Sequence, residues 1–460
     1  MTNKRIHIIG AGLVGSLWAY LLKQRGFDVH VFEKRTDPRH TAADRGRSIN
    51  LIVTSRGLEG LKKAGLIDAI LPTTVPVYGR LMHALDGTTQ YQAYGRNNSE
   101  CNYAVSRGDL NRTLIQKCAD SGVVFHFEHE LVDANLHAKT LTFKNNNCVH
   151  FERAFATDGA GSVIRKKLQA LNADTFKEEV SFISSDYKEL YVPADANGQP
   201  VLTKNNLHIW PRGTHMLMAL ANTDNSFTLT LYLPRTDHAF SFDSIKTKER
   251  VSALFKSEFK DAMSVVPDLE TQFLENPQGG LGTVRFSQWH FEDSVALLGD
   301  AAHAIVPFFG QGMNCGFEDV THLLEILDAQ NWDFKYALPL YSQARIKNAN
   351  AIAEMALENF VEMSDKVGDQ NFLLQKKIES VLEKEFPTEY RSRYGMITYT
   401  LIPYAKAQEA GLIQARLLAD IAKHTPRIED LDLAFCHKQM EREWLPWLRK
   451  NAIPLGRYLI

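Results

Sequence analysis

The chain has 460 residues, of which 44% are hydrophobic and 23% are charged; this composition is typical of a globular protein and excludes a disordered or fibrous one. At about 150 residues per domain, the length predicts roughly three domains. Lys and Arg number 52 and Asp and Glu number 54, which gives a formal net charge of −2. That balance excludes a general attraction to nucleic acid, and no nucleic-acid partner is expected.

The N-terminal stretch 7–22 carries no formally charged residue, so it could be read as a signal peptide. Its three glycines and the lack of a small-residue cleavage site favour a folded, cofactor-binding turn instead. No other stretch approaches the roughly 20 apolar residues that a transmembrane helix needs. The five cysteines are sparse and form no CxxC pair, which favours a reducing compartment and predicts a cytoplasmic protein.

A dinucleotide-binding fingerprint comes first in chain order. An apolar strand over 5–10 leads into Gly10-Ala11-Gly12-Leu13-Val14-Gly15, a helical pattern that ends at Gly26 and a second strand over 29–33. In this βαβ arrangement, Gly10 allows a tight turn, Gly12 lets a pyrophosphate approach, and Gly15 permits close packing. Glu33 can accept hydrogen bonds from ribose hydroxyls and would repel a 2′-phosphate. The pattern therefore favours FAD or NAD over NADP, the alternative being a glycine-rich turn with a surface glutamate.

Two later motifs bear on which dinucleotide is bound. The segment Thr157–Arg165 contains a DGxxSxxR pattern that includes Asp158. An apolar strand over 295–298 ends in Gly299-Asp300 and precedes Gly310-Gln311-Gly312-Met313-Asn314, which begins a helix predicted to run to about Ala329. Asp300 can accept hydrogen bonds from a polyol chain, and the helix start can present N–H groups to a flavin carbonyl or phosphate. Taken alone, either aspartate could simply cap a helix.

In this order and spacing, the three motifs resemble those of the single-component FAD-dependent aromatic hydroxylases, the family that includes p-hydroxybenzoate hydroxylase. The resemblance implies an α/β fold with a Rossmann-like FAD-binding domain, a β-rich substrate domain and a C-terminal helical region. It also implies that the Asp158 motif contacts FAD and NADPH and that the Asp300 motif holds the ribityl and phosphate groups. One departure is Ala156-Thr157 before Asp158, where Gly-Ala is usual.

Further segments resemble the branch of this family that hydroxylates L-kynurenine, over roughly residues 5 to 410. They are Arg45–Leu51, Tyr94–Arg96, Leu207–Pro211, Pro307-Phe308 with Gly310–Asn314, and Met355–Asn359. The resemblance implies a substrate site made of Arg80, Tyr94, Asn359, Tyr394, Phe308 and Met363. Of these, Arg80 and Tyr94 would bind the carboxylate of the substrate. It implies that FAD contacts come from Val14, Glu33, Arg35, Arg107, Leu131, Asp300, Met313 and Asn314.

The residues alone leave the roles at the substrate end open. A planar guanidinium at position 80 could bind a carboxylate bidentately, or it could pair with a surface acid. Phe309 stands where some relatives carry histidine, so the loop above the flavin is expected to differ in detail.

The resemblance also implies a reaction, part of the kynurenine pathway of tryptophan catabolism and NAD biosynthesis. NADPH reduces tightly bound FAD, O2 is captured as a flavin hydroperoxide, and one oxygen atom passes to L-kynurenine to give 3-hydroxykynurenine. No protein side chain is expected to act as a catalyst, because the cofactor carries the chemistry. No second Rossmann fingerprint occurs, so NADPH is expected to bind transiently. The alternatives are a flavin enzyme acting on another aromatic acid, and a non-catalytic dinucleotide-binding module.

No metal is expected to take part. His126 and His129 resemble a metal-binding pair, but the alternation over 123–130 predicts a strand that places them on opposite faces.

The predicted organisation has three parts. The FAD-binding domain is discontinuous, over 1–96, 106–180 and 280–370. The β-sheet substrate domain comprises 97–105 and 181–279, with a hairpin between 215–222 and 226–233. Residues 371–460 form a C-terminal helical cap, with helices over 372–386 and 405–424. The aromatic and basic segment Trp444–Lys450 could contact a membrane surface, but packing onto the body of the protein is the favoured interpretation.

Overall fold

The structure, a computed structural model, describes residues 4–40, 50–365 and 370–456, without the side chains of 363–365. The segment Arg45–Ile49 and the side chain of Met363, both named from the sequence, lie outside the described residues.

The described strands are, in chain order, β1 (Arg5–Ile9), β2 (Asp28–Phe32), β3 (Asn50–Val53), β4 (Val75–Val77), β5 (Gly79–His83), β6 (Thr89–Ala93), β7 (Asn102–Ser106), β8 (Val124–His126), β9 (Leu131–Asn135), β10 (Thr140–Phe143), β11 (Cys148–His150), β12 (Ala154–Ala156), β13 (Glu178–Val192), β14 (Asn206–Arg212), β15 (His215–Ala221), β16 (Phe227–Pro234), β17 (Gly279–Phe286), β18 (His290–Phe291) and β19 (Val295–Leu297).

The described α-helices are α1 (Leu13–Gln24), α2 (Ser55–Lys63), α3 (Ile67–Ile70), α4 (Arg107–Asp120), α5 (Val163–Leu171), α6 (Lys248–Glu258), α7 (Lys260–Met263), α8 (Leu269–Glu275), α9 (Gly312–Ala329), α10 (Phe334–Asp365), α11 (Gln370–Glu385), α12 (Arg393–Tyr399), α13 (Tyr404–His424), α14 (Leu433–Met440) and α15 (Trp444–Asn451).

A six-stranded sheet with the order β18-β19-β12-β1-β2-β8 forms the centre of the flavin region. All its pairings are parallel except that between β18 and β19. Strands β12 and β19 are fully buried apolar runs, as expected of parallel strands that helices cover on both faces. The predicted βαβ unit of β1, α1 and β2 is confirmed, and the Rossmann-like fold with it.

A seven-stranded mixed sheet forms the second layer, with the order β17-β13-β16-β15-β14-β5-β6. Strands β15 and β16 are the predicted antiparallel hairpin. Two placements differ from the sequence analysis. Strands β5 and β6 lie within 1–96, yet they belong to this sheet through a parallel pairing of β5 with β14. The segment 97–105 was assigned to the substrate domain, but its strand β7 does not join the seven-stranded sheet. It pairs with β3 and β4 in a separate three-stranded sheet.

The physical reason for both differences is the same. A strand's own pattern shows that it is half-buried, but it does not show which distant strand it pairs with. Residues 79–82 pair with residues 206–209, more than 120 positions later. The remaining boundaries of the three predicted domains stay predictions.

The C-terminal region is helical over its described residues, and the two tryptophans of α15 are buried. The rings of Trp444 and Trp447 stack with centroids 5.6 Å apart. Their indole N–H groups donate to the Glu389 carbonyl at 2.7 Å and to the Glu409 carboxylate at 2.9 Å. These aromatic residues therefore pack onto the body of the protein, as the sequence analysis favoured. None of the helices described above combines the length and the apolar character that crossing a bilayer requires.

The prediction that His126 and His129 lie on opposite faces of one strand is wrong. Strand β8 ends at His126, and Glu128 adopts a left-handed conformation with φ of 58°. The chain therefore turns, and the two imidazole rings meet edge to face with centroids 5.7 Å apart.

Candidate active site

The glycine-rich turn between β1 and α1 has the geometry of a phosphate cradle. Gly10 has φ of +101°, and a Cβ there would lie 2.5 Å from the Thr157 carbonyl oxygen. A Cβ on Gly15 would collide with the Gly10 carbonyl, whereas a Cβ on Gly12 would meet nothing within 4 Å. Neighbouring backbone atoms thus fill the space beside Gly10 and Gly15, whereas the space beside Gly12 is empty. That opening, at the N-terminus of α1, fits the pyrophosphate of FAD.

The carboxylate of Glu33 joins the end of β2 to this turn. It accepts hydrogen bonds from the Ala11 N–H at 2.8 Å and the Arg35 N–H at 3.0 Å. An acceptor beside the glycine turn is where a ribose would need one.

One cavity of about 1210 Å³ receives most of the predicted residues. From the predicted flavin set, it is lined by Gly12, Val14, Arg107, Asp300 and Met313. From the predicted substrate set, it is lined by Arg80, Tyr94, Phe308, Asn359 and Tyr394. The structure therefore brings both sets to one continuous space.

Several predicted flavin contacts lie outside that lining. Arg35 borders a shallow surface depression with Lys34 and Thr36, and Leu131 is buried at the start of β9. Gly10 and Gly15 shape the turn without facing the cavity.

Asp158 serves the fold of its own motif. Its Oδ2 accepts a hydrogen bond from the Val163 N–H at 2.8 Å, in the first turn of α5. Arg165 of the same motif donates to the Ala301 carbonyl at 2.8 Å and thus ties the motif to the Gly-Asp loop. The neighbours Thr157 and Gly159 line the cavity. One oxygen of the Asp158 side chain therefore serves the start of α5, while the neighbours on either side of Asp158 face the ligand space.

The amide of Asn314 is fully used within the protein. Its Oδ1 accepts from the Thr54 N–H at 2.8 Å, and its Nδ2 donates to the carbonyls of Ile52 at 2.7 Å and Gly310 at 2.9 Å. Only its backbone N–H, near the start of α9, is left to face a ligand. The side chain instead fixes the loop after β3 against that helix.

The residues predicted to form the polar end of the substrate site all line this cavity. Arg80 donates from Nε to the Gln92 side-chain oxygen at 2.7 Å, and it forms no ion pair with any carboxylate of the described residues. The rings of Tyr94 and Tyr394 stack with centroids 5.3 Å apart. Asn359 donates to the Phe308 carbonyl at 2.6 Å. The guanidinium is thus free of the surface acid that the sequence analysis kept as an alternative.

Burial controls the protonation of the two tyrosines. It raises the pKa of Tyr94 far above its ordinary value, and it also raises the pKa of Tyr394. Both hydroxyls therefore remain protonated at neutral pH, and each can donate a hydrogen bond to an anion.

The structure adds contacts that the sequence analysis did not predict. Asn102 donates to the Tyr394 hydroxyl at 2.9 Å. The Phe309 ring stacks on that of Tyr394, with centroids 5.8 Å apart. No local pattern marks either contact, since each joins segments far apart in the chain. An apolar wall comes from Leu207, Ile209, Met218, Leu220 and Tyr232. Here the alternation along β14 and β15 was a usable signal.

One group of side chains has the composition of a metal site. Donor atoms of His303, Cys315 and Asp319, all buried, lie within 4.8 Å of one another. Asp319 already accepts from His303 Nε2 at 2.5 Å, from the Gly299 N–H at 3.0 Å and from Arg345 Nε at 2.9 Å. The guanidinium of Arg345 supplies positive charge beside the Asp319 carboxylate. Together these contacts stabilise the Gly-Asp loop against α9.

Comparison with known proteins agrees with this geometry. A family model described as "FAD binding domain" matches residues 4–355. A kynurenine 3-monooxygenase of Myxococcus xanthus is 39% identical over 453 residues, which is 97% of each chain. One of Dictyostelium discoideum is 40% identical and covers 96% of this chain and 98% of its own. The chain belongs to the kynurenine 3-monooxygenase family.

Two solved structures of other flavin enzymes have a fold similar to that of this kynurenine 3-monooxygenase family chain. The tetrameric form of 2-methyl-3-hydroxypyridine-5-carboxylic acid oxygenase superposes with a TM-score of 0.65 at 18% identity, covering 84% of this chain and 98% of its own. PqsL, a probable FAD-dependent monooxygenase from Pseudomonas aeruginosa, has a TM-score of 0.61 at 19% identity, covering 79% and 97%.

Proposed function

We propose that the protein is an FAD-dependent monooxygenase that converts L-kynurenine to 3-hydroxykynurenine with NADPH and O2. The observation that carries this proposal is the single cavity that joins the flavin motifs to Arg80, Tyr94 and Tyr394. Its relatives of 37–40% identity over nearly their full length bear the name of that activity.

The residues of the glycine turn and of the Gly-Asp loop suit FAD. The backbone at Gly12, together with Val14, Arg107, Asp300 and Met313, would hold it. When bound and reduced by NADPH, FAD would activate O2 so that one of its oxygen atoms can pass to an electron-rich ring.

The polar end of the cavity would orient the substrate. The Arg80 guanidinium can bind the substrate carboxylate bidentately, and the hydroxyls of Tyr94 and Tyr394 can each donate to it. Arg80 projects from β5, whereas Tyr394 lies in the first turn of the C-terminal helix α12. An amino acid bound at both elements has a fixed position relative to the flavin motifs, and such positioning is itself a source of rate.

The middle of the cavity would exclude water from the ring. Met218, Leu220 and Tyr232 come from the large sheet, and Phe308 precedes α9. Packed against an aromatic ring, these side chains leave it in an apolar environment. The aniline nitrogen of kynurenine donates electrons to the neighbouring ring position, so the protein needs no acid or base of its own to activate it.

The test is NADPH consumption by FAD-loaded protein with and without L-kynurenine, with product mass measured in parallel. We expect strong stimulation and a product that has gained one oxygen atom. Stimulation without that gain would show that kynurenine only triggers reduction of O2, and it would contradict the proposal. Absence of stimulation in protein that retains FAD would direct the search to other aromatic acids. Transient NADPH binding and a cytoplasmic location stay predictions.

A further inference from the structure

A buried carboxylate lies between the two segments that carry the stacked tyrosines. Glu100, on the loop between β6 and β7, is only 3% exposed. Its Oε1 accepts hydrogen bonds from Arg391 at 2.9 Å and from Arg96 at 3.1 Å, and its Oε2 accepts from the Arg96 N–H at 3.0 Å. We call Glu100, Arg96 and Arg391 the Glu100 bridge.

The two arginines of the Glu100 bridge lie on different segments, and each segment carries one of the two tyrosines. Arg96 lies two residues after Tyr94, on the loop that leaves the large sheet. Arg391 lies three residues before Tyr394, in the C-terminal helical region. Arg96 also donates to the Pro387 carbonyl at 2.8 Å, which adds a second contact between the same two segments.

The Glu100 bridge contains two positive guanidiniums, and the carboxylate of Glu100 is the negative charge that holds them together. Burial alone would raise the pKa of Glu100, but the hydrogen bond from the Arg96 backbone and the charge of Arg391 outweigh it and lower the pKa. Glu100 is therefore ionised at neutral pH and faces two guanidiniums. Neutralising it would leave two like charges close together and poorly solvated, which drives their segments apart.

We propose that Glu100 is a positioning residue for the carboxylate-binding end of the cavity. By holding the Tyr94 loop against the segment that carries Tyr394, it sets the spacing at which both hydroxyls reach one anion. The proposal rests on the proposed function, since it assumes a substrate that presents a carboxylate to these tyrosines.

The distinguishing measurement compares two ligands that differ only at that carboxylate. The ligands are L-kynurenine and its primary amide, titrated through the flavin absorbance of FAD-loaded wild type and of Glu100→Gln. For L-kynurenine we expect the dissociation constant to rise at least about tenfold, the loss of one well-placed charge-assisted contact. For the amide we expect a clearly smaller rise, of about threefold or less, because its neutral oxygen accepts weaker hydrogen bonds from the two hydroxyls than a carboxylate does.

The steady-state kinetics give a second readout. KM for L-kynurenine should rise in Glu100→Gln by a similar factor, while kcat at saturation and FAD occupancy stay close to wild type. Glu443→Gln, in the exposed pair with Arg416, removes the same charge elsewhere in the C-terminal region and serves as the control.

Two outcomes would overturn the proposal. Equal weakening of both ligands would mean that Glu100 only supports the fold, and unchanged binding of L-kynurenine would mean that the tyrosines do not depend on it. Failure of the wild type to respond to L-kynurenine would instead contradict the proposed function, so the two failures can be told apart. Glu100→Asp, which keeps the charge on a shorter side chain, should bind L-kynurenine with an affinity between those of wild type and Glu100→Gln.

Discussion

The flavin region and the substrate end of the same cavity are built in opposite ways. The flavin cradle rests on a few consecutive residues whose backbone must adopt a particular path, as at Gly10 and Gly15. The substrate end draws Arg80, Phe308 and Tyr394 from a strand, a turn and a helix that are far apart in sequence. A local motif therefore specifies the phosphate-binding turn of the cofactor site, whereas only the completed tertiary structure specifies the substrate site.

The largest expected effect separates the two functions of the glycine turn. Gly15→Ala places a methyl group against the Gly10 carbonyl, and we expect it to destabilise the flavin region by at least about 3 kcal/mol. Gly12→Ala meets only open space, so this variant should fold normally and bind FAD less tightly. Thermal unfolding and FAD titration of both variants measure the difference. Normal folding of Gly15→Ala would contradict the described packing.

An intermediate effect is expected at the substrate end. Arg80→Ala removes the guanidinium that would bind the carboxylate, and we expect L-kynurenine to bind about one to two orders of magnitude more weakly. FAD should remain bound, since Arg80 lies on β5, away from the glycine turn. Arg80→Lys, which keeps the charge but loses the planar fork, should fall between. Unchanged affinity in Arg80→Ala would remove this residue from the site.

The smallest expected effect concerns stability in acid. Burial, aided by the charge of His30, lowers the pKa of His7 to about 4 from its ordinary 6.5. The unfolded chain thus binds more protons, so this contribution to stability is complete above pH 6.5 and is lost as the pH falls towards 4.

His7→Phe keeps the stacking on Phe32, whose ring centroid is 5.7 Å away, and it removes the titrating group. Relative to wild type it should gain about 1 kcal/mol at pH 5.5 compared with pH 7.5. Urea unfolding at both values measures this gain, with His150→Phe at an exposed position of β11 as control. An equal pH response in wild type and His7→Phe would show that His7 is not the titrating group.

The sequence predicted the flavin region well because its signals are local. The order of strand, glycine turn, helix and second strand is set by contacts within about 30 residues, and the structure reproduces it. The hairpin of β15 and β16 was readable for the same reason.

Other features could not be predicted from the sequence, because they depend on contacts between segments far apart in the chain. The pairing of β5 with β14 and the contact of Asn102 with Tyr394 join residues more than 100 positions apart. Asp158 was expected to contact cofactor, and the structure shows one oxygen of its side chain bound at the start of α5. The helix start at Asn314 was expected to offer N–H groups, and the side chain of that residue fixes a loop. A polar side chain in a motif can serve the backbone that binds the ligand, and its identity alone does not distinguish the two roles. Arg80 and Tyr94 came only from family resemblance.

The strand order of the six-stranded sheet also determines when the flavin site can form during synthesis. Strand β1 pairs with β12, and β12 pairs with β19, which ends at Leu297. A nascent chain of 180 residues would present the unpaired edge of β12, a template for association with other chains. The cradle at the N-terminus, although the first element to be made, is completed only after the ribosome has passed the Gly-Asp loop.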